Sequence, residues 1–159
     1  MWVPVLLSAA LLLFILQSNR AGEVRLGRYF TLDEFTRTDT GLPNIPSAQE
    51  VANLQYLVAS VLDPLREQIG PVIITSGFRS PEVNAAIPGG GAINSQHMDG
   101  EAADIKSPTL GTDEIIAALR QLPVDQVIKY YNSGHVHVSA TPQGRGEFLY
   151  KGPSGFEVI

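Results

Sequence analysis

Residues 95–105 read SQHMDGEAADI, and they decide the fold because a polar loop is expected to run here into a strand at 102–105. His97 and Asp104 lie seven positions apart, which suits a loop returning into a strand better than one helical turn. Gly100 permits the turn, since glycine tolerates backbone conformations that other residues avoid. An imidazole and a carboxylate are both good zinc ligands. The pair alone also fits a plain loop histidine and a strand-end aspartate, so both interpretations stay open.

A second segment, HVHVS, begins at His135. Its strict alternation places His135, His137 and Ser139 on one face of a strand and turns the two valines towards the core. All three histidines of the chain fall within these two segments. A site with three protein ligands and an open fourth position is typical of a catalytic zinc rather than a structural one. The alternative is an exposed strand face that carries two solvated histidines.

A third segment, TSGFRSP at residues 75–81, is typical of a turn between a strand and a helix. Arg79 lies at its apex, and the planar guanidinium fork of arginine suits a carboxylate partner. By itself Arg79 also fits an ordinary surface arginine. The segment therefore indicates a site only together with the two histidine segments.

These segments occur in an order that resembles the zinc D-Ala-D-Ala carboxypeptidase family (metallopeptidase family fifteen, subfamily A), in its short phage and bacterial form. The stretches that carry the resemblance are 76–80 with Asn84, 95–105, 125–128 and 136–139, preceded by the lead-in motifs 29–35 and 62–67. Each piece alone is a weak signal, whereas the ordered set is specific. The resemblance covers roughly residues 28–151.

The resemblance implies an α+β fold in which a small antiparallel sheet carries the zinc site and helices pack on one side. It implies that His97, Asp104 and His137 bind one Zn2+ ion. It also implies that Arg79 holds a carboxylate or carbonyl group of the substrate. The implied substrates are the stem peptides of peptidoglycan, which a zinc carboxypeptidase or endopeptidase hydrolyses. The side chains expected to contact this substrate are Arg79, Ser76, Ser95 and Gln96.

One departure from the family pattern concerns the group that transfers protons. Better-studied relatives place an Asp or Glu three residues before the last ligand, where this chain has Gly134. Some short relatives have an acid at the end of the strand that begins Asp-Gln, where Lys129 and Tyr130 stand here. We therefore expect His135 to be catalytic, because imidazole titrates near neutral pH. Weaker candidates are Asp99, Glu101 and Asp125.

The rest of the pattern predicts helices early and strands late, which favours an α+β fold. Ser47 and Glu50 have capping-box spacing and start a helix. Apolar residues at three- and four-residue steps extend this helix to Ile69, and Pro64 is expected to kink or interrupt it. Strands are expected at 72–75, 102–105, 125–131, 135–139 and 147–151, the last two joined by a Pro/Gly loop, and shorter helices begin at the caps Ser80 and Thr112.

The N-terminal residues 2–17 read WVPVLLSAALLLFILQ and contain no charged side chain. This run is shorter than the usual membrane span of about 20 residues, so it fits a membrane anchor, a signal-peptide core or a buried helix. Arginines at 20, 25 and 28 favour a cytoplasmic location for the C-terminal side of the run, but access to a cell-wall substrate favours the outside. We expect a membrane-anchored protein with an extracytoplasmic domain. The expected division is an anchor or signal segment at 1–22, a linker and lead-in segment at 23–46 and a zinc peptidase-like domain at 47–159.

The composition limits the classes of function. The chain has 159 residues, of which 44% are hydrophobic, enough to build the core of one domain. A formal net charge of -5 argues against a nucleic-acid partner, which would need clustered Lys and Arg. No cysteine is present, so disulfides, thiolate zinc sites and a Cys nucleophile are excluded. We expect a monomeric zinc peptidase; the alternative, which the missing acid supports, is a non-catalytic zinc-containing module that binds the cell wall or a partner.

Overall fold

The computed structural model describes residues 24–159, in which six short strands form one sheet. The helices are α1 (Leu32–Thr36), α2 (Ala48–Leu57), α3 (Asp63–Ile69), α4 (Pro81–Ala86) and α5 (Thr112–Leu119). The strands are β1 (Ile73–Ser76), β2 (Ala102–Lys106), β3 (Gln126–Tyr130), β4 (Val136–Ser139), β5 (Glu147–Gly152) and β6 (Gly155–Val158). Helices and strands therefore combine in an α+β fold, as the sequence predicts.

The predicted helix that begins after Ser47 is present and contains an irregular turn before Pro64. The Ser47 hydroxyl accepts the N–H of Glu50, and the Glu50 carboxylate accepts the N–H of Ser47, which completes the predicted capping box. The π-helical turn Val58–Leu62 joins α2 to α3. Proline lacks an N–H and cannot continue the regular hydrogen bonds, and in the turn before it the N–H of Asp63 bonds a carbonyl five residues back. Pro64 therefore interrupts the regular helix without ending it.

The core lies between one face of the sheet and helices α2, α3 and α5. It includes Leu54, Leu57, Val61, Leu65, Ile105, Leu119, Val127, Val136 and Val138. Successive residues of a strand point to opposite faces of the sheet. The face opposite this core therefore carries the side chains that alternate with the core residues, among them Asp104 and His137.

The sheet is mixed rather than purely antiparallel, which corrects the sequence-based expectation. Its strand order is β1-β2-β4-β3-β5-β6, and β5 runs parallel to β3. The loop at 140–146 therefore does not join β4 and β5 in a hairpin. Both edges of β4 are already paired, with β2 and β3, so the chain crosses to the free edge of β3, where its direction makes the pair parallel.

Three local features also differ from the sequence-based expectation. The strand expected at 135–139 begins one residue later, so His135 precedes β4. Thr112 is the first residue of α5, and Gly111 holds the cap position, with its N–H donating to a glutamate carboxylate at 2.6 Å. Strand β6 is additional; it has four residues and follows a tight turn at which Gly155 has a positive φ of 123°. A strand this short, directly after a Pro-Ser-Gly turn, shows too little apolar alternation to be predicted from the sequence.

The segment before α2 packs on the core through aromatic side chains. Phe30 and Phe35 are fully buried and meet edge to face, with ring centroids 6.1 Å apart. The Asp63 carboxylate accepts the backbone N–H groups of Arg28 and Tyr29 at 2.7 and 3.2 Å. These hydrogen bonds hold the lead-in segment against the start of α3.

The expected membrane anchor at residues 2–17 lies outside the described residues. Among residues 24–159, no helix has both the length and the apolar character needed to cross a bilayer. The domain boundary at residue 22 and the extracytoplasmic location stay predictions.

Candidate metal centre

Two adjacent strands and one loop bring the three predicted ligands together. Asp104 of β2 lies directly opposite His137 of β4 in the antiparallel register, so both side chains leave the sheet on the same face. His97 comes from the loop before β2, and its carbonyl accepts the N–H groups of Arg79 and Gly100 at 3.1 and 3.4 Å. The loop turns at Gly100, where φ is 71° and an added Cβ would lie 2.4 Å from a backbone oxygen of α2. Only glycine fits this approach.

The three ligand atoms form a nearly equilateral triangle. His97 Nε2 lies 3.2 Å from His137 Nδ1 and 3.3 Å from Asp104 Oδ1, and these last two atoms are 3.1 Å apart. A tetrahedral zinc with bonds of about 2.0–2.1 Å requires ligand atoms about 3.3–3.4 Å apart, so the observed spacing fits this ion. All three side chains are buried. Three protein ligands leave the fourth position of a tetrahedral ion open.

Hydrogen bonds and burial set the protonation of these ligands. His97 Nδ1 lies 2.7 Å from the carbonyl oxygen of Gly77, which can only accept, so Nδ1 carries the proton and Nε2 presents its lone pair to the triangle. Burial lowers the pKa of His137, which favours the neutral imidazole that binds metals. Burial raises the pKa of Asp104, but its hydrogen bond with His137 and the closeness of His97 outweigh burial and hold that pKa well below its usual range. Two imidazoles and one carboxylate are a donor set that suits Zn2+.

Arg79 contacts the carboxylate oxygen that the triangle does not use. Its Nη2 donates to Asp104 Oδ2 at 2.7 Å, and its Nε donates to Ser76 Oγ at 2.9 Å. The side chains of Arg79 and Asp104 are only 14% and 11% exposed, so water screens the ion pair little. Arg79 therefore orients Asp104, and Ser76 orients Arg79. The expected contacts of Arg79 and Ser76 with a substrate stay predictions.

The triangle opens into a cavity of about 350 Å3. Ser95 and Gln96 line it beside the ligands, whereas Ser76 borders a neighbouring cavity of about 610 Å3. Gln96 Nε2 donates to Asp125 Oδ2 at 2.9 Å and to Glu101 Oε2 at 3.3 Å, so this side chain also braces the loop that carries the histidine ligand. Larger cavities lie elsewhere, but the convergence of ligand atoms, rather than volume, identifies the site.

Side chains from β3, β5 and β6 complete the cavity wall. Tyr130 at the end of β3, Lys151 of β5 and Phe156 of β6 all line the cavity. The parallel register places Lys151 directly beside Tyr130. Tyr130 has a signal in the sequence, because it stands where some short relatives carry an acid. Lys151 and Phe156 have none, since the pairing of β5 with β3 cannot be deduced from alternation within a strand.

His135, the residue expected to transfer protons, lies next to this wall but not among the side chains that line the cavity. Its Nδ1 is 2.7 Å from Ser133 Oγ, and its ring centroid is 5.4 Å from that of Tyr130. His135 therefore has a direct neighbour in the cavity wall. Its catalytic role stays a prediction.

The weaker candidates for proton transfer lie outside the ligand cavity. Arg145 binds both carboxylate oxygens of Asp125, and these hydrogen bonds, against the effect of burial, lower the pKa of Asp125 to about 2. Glu101 borders a separate small cavity, and burial raises its pKa. Asp99 is exposed. Of the described side chains that line the ligand cavity, Asp104 is therefore the sole carboxylate.

Comparisons with known proteins agree with this geometry. The family model "Peptidase M15" matches residues 28–139, a stretch that contains all three members of the triangle. The zinc D-Ala-D-Ala carboxypeptidase of Streptomyces albus G is 29% identical to the chain over 122 residues. That match covers 75% of this chain and 47% of the other protein, so the chain spans about half the length of this curated relative. Because the family match covers most of the chain and includes the site, the chain belongs to the peptidase M15 family.

Proposed function

We propose that this chain is a zinc-dependent peptidase that hydrolyses the stem peptides of peptidoglycan, as a carboxypeptidase or an endopeptidase. The observation that carries the proposal is the triangle of His97, Asp104 and His137, which opens into a cavity of the size that small ligands occupy. Similarity to a zinc D-Ala-D-Ala carboxypeptidase supports both the metal and the class of substrate.

Different residues of the cavity would have different roles in peptide hydrolysis. When bound, Zn2+ activates a water molecule and polarises the scissile carbonyl. His97, Asp104 and His137 would hold the ion, and Arg79 keeps the Asp104 carboxylate in place. The Ser95 hydroxyl and the Gln96 amide offer hydrogen-bonding groups on the adjoining wall, where a peptide backbone needs partners once it leaves water.

We assign proton transfer to His135, because histidine is the side chain that most often serves as general acid or base and Gly134 supplies no carboxylate. His135 stands beside Tyr130, which lines the cavity. Burial and the negative charge of Asp104 raise the pKa of Tyr130 to about 12, so its hydroxyl stays protonated and can donate a hydrogen bond to a substrate oxygen. In this assignment His135 transfers the proton and Tyr130 keeps its own.

We also propose that residues 2–17 anchor the protein in a membrane with the domain outside the cytoplasm. The apolar run supports the anchor, and the location of a cell-wall substrate supports the outward orientation. A reporter enzyme fused to the C-terminus, active on only one side of the membrane, tests the orientation.

The second candidate function is a non-catalytic zinc-containing module that binds the cell wall or a partner. Gly134 stands where better-studied relatives carry an acid, and Asp104 is the sole carboxylate among the described side chains of the cavity wall. In such a module the triangle would bind the ion, but no peptide bond would break.

Mass spectrometry of purified muropeptides separates these two functions. The zinc-loaded chain, the chelator-treated chain and the treated chain with zinc restored are incubated with the same muropeptides. Shortened peptides in the first and third reactions, but not in the second, support the peptidase. A chain that binds one equivalent of zinc and releases no product supports the binding module.

A further inference from the structure

The wall of the ligand cavity carries an ammonium group without a carboxylate partner. Lys151 of β5 lines the cavity, and within residues 24–159 no Asp or Glu lies at ion-pair distance from its Nζ. Its Nζ instead lies 5.1 Å from the ring centroid of Phe156 and 5.9 Å from that of Tyr130. Both rings also line the cavity, so cation–π attraction holds the ammonium group at its wall.

The neighbouring cationic side chains already form ion pairs with carboxylates. Arg79 donates to Asp104 and lies mostly buried against it. Lys129, one residue before the cavity-lining tyrosine of β3, pairs with Asp113 outside the ligand cavity. Lys151 is therefore the cation of this cavity that an incoming anion can bind without displacing a partner in the described part of the chain.

The cavity is locally positive although the protein is acidic. Arg79 and Lys151 face one carboxylate, Asp104, before the charge of a divalent ion is added. The whole chain has a formal net charge of -5, so positive charge is concentrated at the site rather than spread over the surface. A concave site of one sign raises the local concentration of ligands of the other sign, which favours an anionic substrate here.

We propose that Lys151, held over the rings of Tyr130 and Phe156, is the subsite that binds a carboxylate of the substrate peptide. This inference rests on the proposed peptidase function and adds to it the residue that recognises a carboxylate of the substrate. That carboxylate is either the free C-terminus or an acidic side chain, and both present the same chemistry to an ammonium group. Phe156, 55% exposed, adds an apolar surface for the carbon atoms next to the carboxylate.

Three variants of the zinc-loaded full chain test the assignment. Lys151→Gln removes the charge and keeps most of the length of the side chain, and Lys151→Arg restores a cation. Lys106→Gln is the matched control, since Lys106 is an exposed lysine at the end of β2 that does not line the cavity. The substrates are a synthetic stem peptide, the same peptide with a C-terminal amide, and the same peptide with its side-chain carboxylate amidated. KM, kcat and zinc content are measured for each.

Loss of one charge-assisted hydrogen bond should raise KM by about tenfold for the unmodified peptide in Lys151→Gln, with kcat and zinc content unchanged. The wild-type chain should discriminate against one of the amidated peptides by a similar factor, and Lys151→Gln should lose that discrimination. The amide that the wild type rejects identifies the source of the carboxylate. Lys151→Arg should recover KM, and Lys106→Gln should not change it. A KM that stays constant in Lys151→Gln, or that rises equally for all three peptides, overturns the assignment.

Fluorescence anisotropy of labelled forms of the same peptides separates this inference from the proposed function. One outcome is that the zinc-loaded wild type binds the carboxylate peptide more tightly than an amidated one but cleaves neither. The peptidase function then fails, and Lys151 keeps its role if Lys151→Gln abolishes this preference. If peptides are cleaved and Lys151→Gln keeps the preference, the subsite is wrong and the peptidase function stands.

Discussion

Arg79 Nη2 lies 2.7 Å from Asp104 Oδ2, while Oδ1 of the same carboxylate lies 3.1 Å from His137 Nδ1. The carboxylate is thus divided between the guanidinium and the ligand triangle. Partners of this kind hold a ligand in the orientation that the metal requires. The arginine of the segment SGFRS therefore belongs to the metal centre as well as to the expected substrate site.

Arg79→Gln should lower zinc affinity about 10- to 100-fold, because Asp104 loses the group that orients it. Competition against a chromogenic chelator measures the affinity. Arg37→Gln is the control, since Arg37 is an exposed arginine that does not line the ligand cavity. Unchanged zinc affinity together with a raised KM would mean that Arg79 acts on the substrate alone.

His137→Ala should abolish stoichiometric zinc binding, because two remaining ligands cannot hold the ion as three do. Elemental mass spectrometry of the purified variant measures the metal content. Zinc should also raise the melting temperature of the wild type but not of the variant, since only a bound ion stabilises the folded state. One equivalent of zinc in His137→Ala would show that the ligand set is wrong.

His135→Ala should keep zinc and lower kcat about 100-fold or more, the usual effect of removing a general acid or base. Steady-state kinetics with a synthetic stem peptide measures kcat for the wild type and the variant. Full activity in His135→Ala would move proton transfer to another group, and Tyr130→Phe, Glu101→Gln and Asp125→Asn should then be compared. Loss of zinc would mean that His135 supports the metal centre rather than proton transfer.

Asp125→Asn should destabilise the metal-free fold at neutral pH but not in strong acid. Hydrogen bonds from Arg145 outweigh burial and lower the pKa of Asp125 from 3.8 to about 2. A folded-state pKa below the unfolded value gives stability that is present above about pH 4 and is lost as the pH falls towards 2. Because the side chain of Arg145 is half exposed, water screens its interaction with Asp125. We therefore expect the variant to lose about 1–2 kcal/mol of the free energy of unfolding.

Urea denaturation at pH 7, 4 and 2.5 measures this difference in the free energy of unfolding between the wild type and Asp125→Asn. The control is Asp113→Asn, because Asp113 is 80% exposed in its pair with Lys129 and should contribute little at any pH. A difference for Asp125→Asn that stays constant down to pH 2.5 would contradict the assigned pKa.

Deletion of residues 1–22 should give a soluble protein that binds zinc as the full chain does. The buried Phe30 and Phe35, both ligand segments and the whole sheet lie in the part that remains. Gel filtration and metal analysis check the result. Aggregation or loss of zinc would mean that the apolar segment belongs to the fold.

Much of the site could be predicted because its signals are local. Alternation in HVHVS places His137 on the face of β4 opposite the core valines. Asp104 alternates with the core residues of β2, so its side chain also lies on the face opposite the core. The capping box at Ser47 and the break at Pro64 also result from spacing and from the missing N–H of proline. Each of these features depends on neighbours a few residues away.

The sequence by itself determined the strand face of His137 and the turn at Gly100, because both are properties of short segments. The set of three ligands followed only from the resemblance to a known family. Only the tertiary structure decided what surrounds them. Lys151 and Phe156 reach the cavity because β5 pairs in parallel with β3, and β6 extends that edge. Which strands pair depends on the edges that remain free after the others have packed, and no short stretch of sequence contains that information.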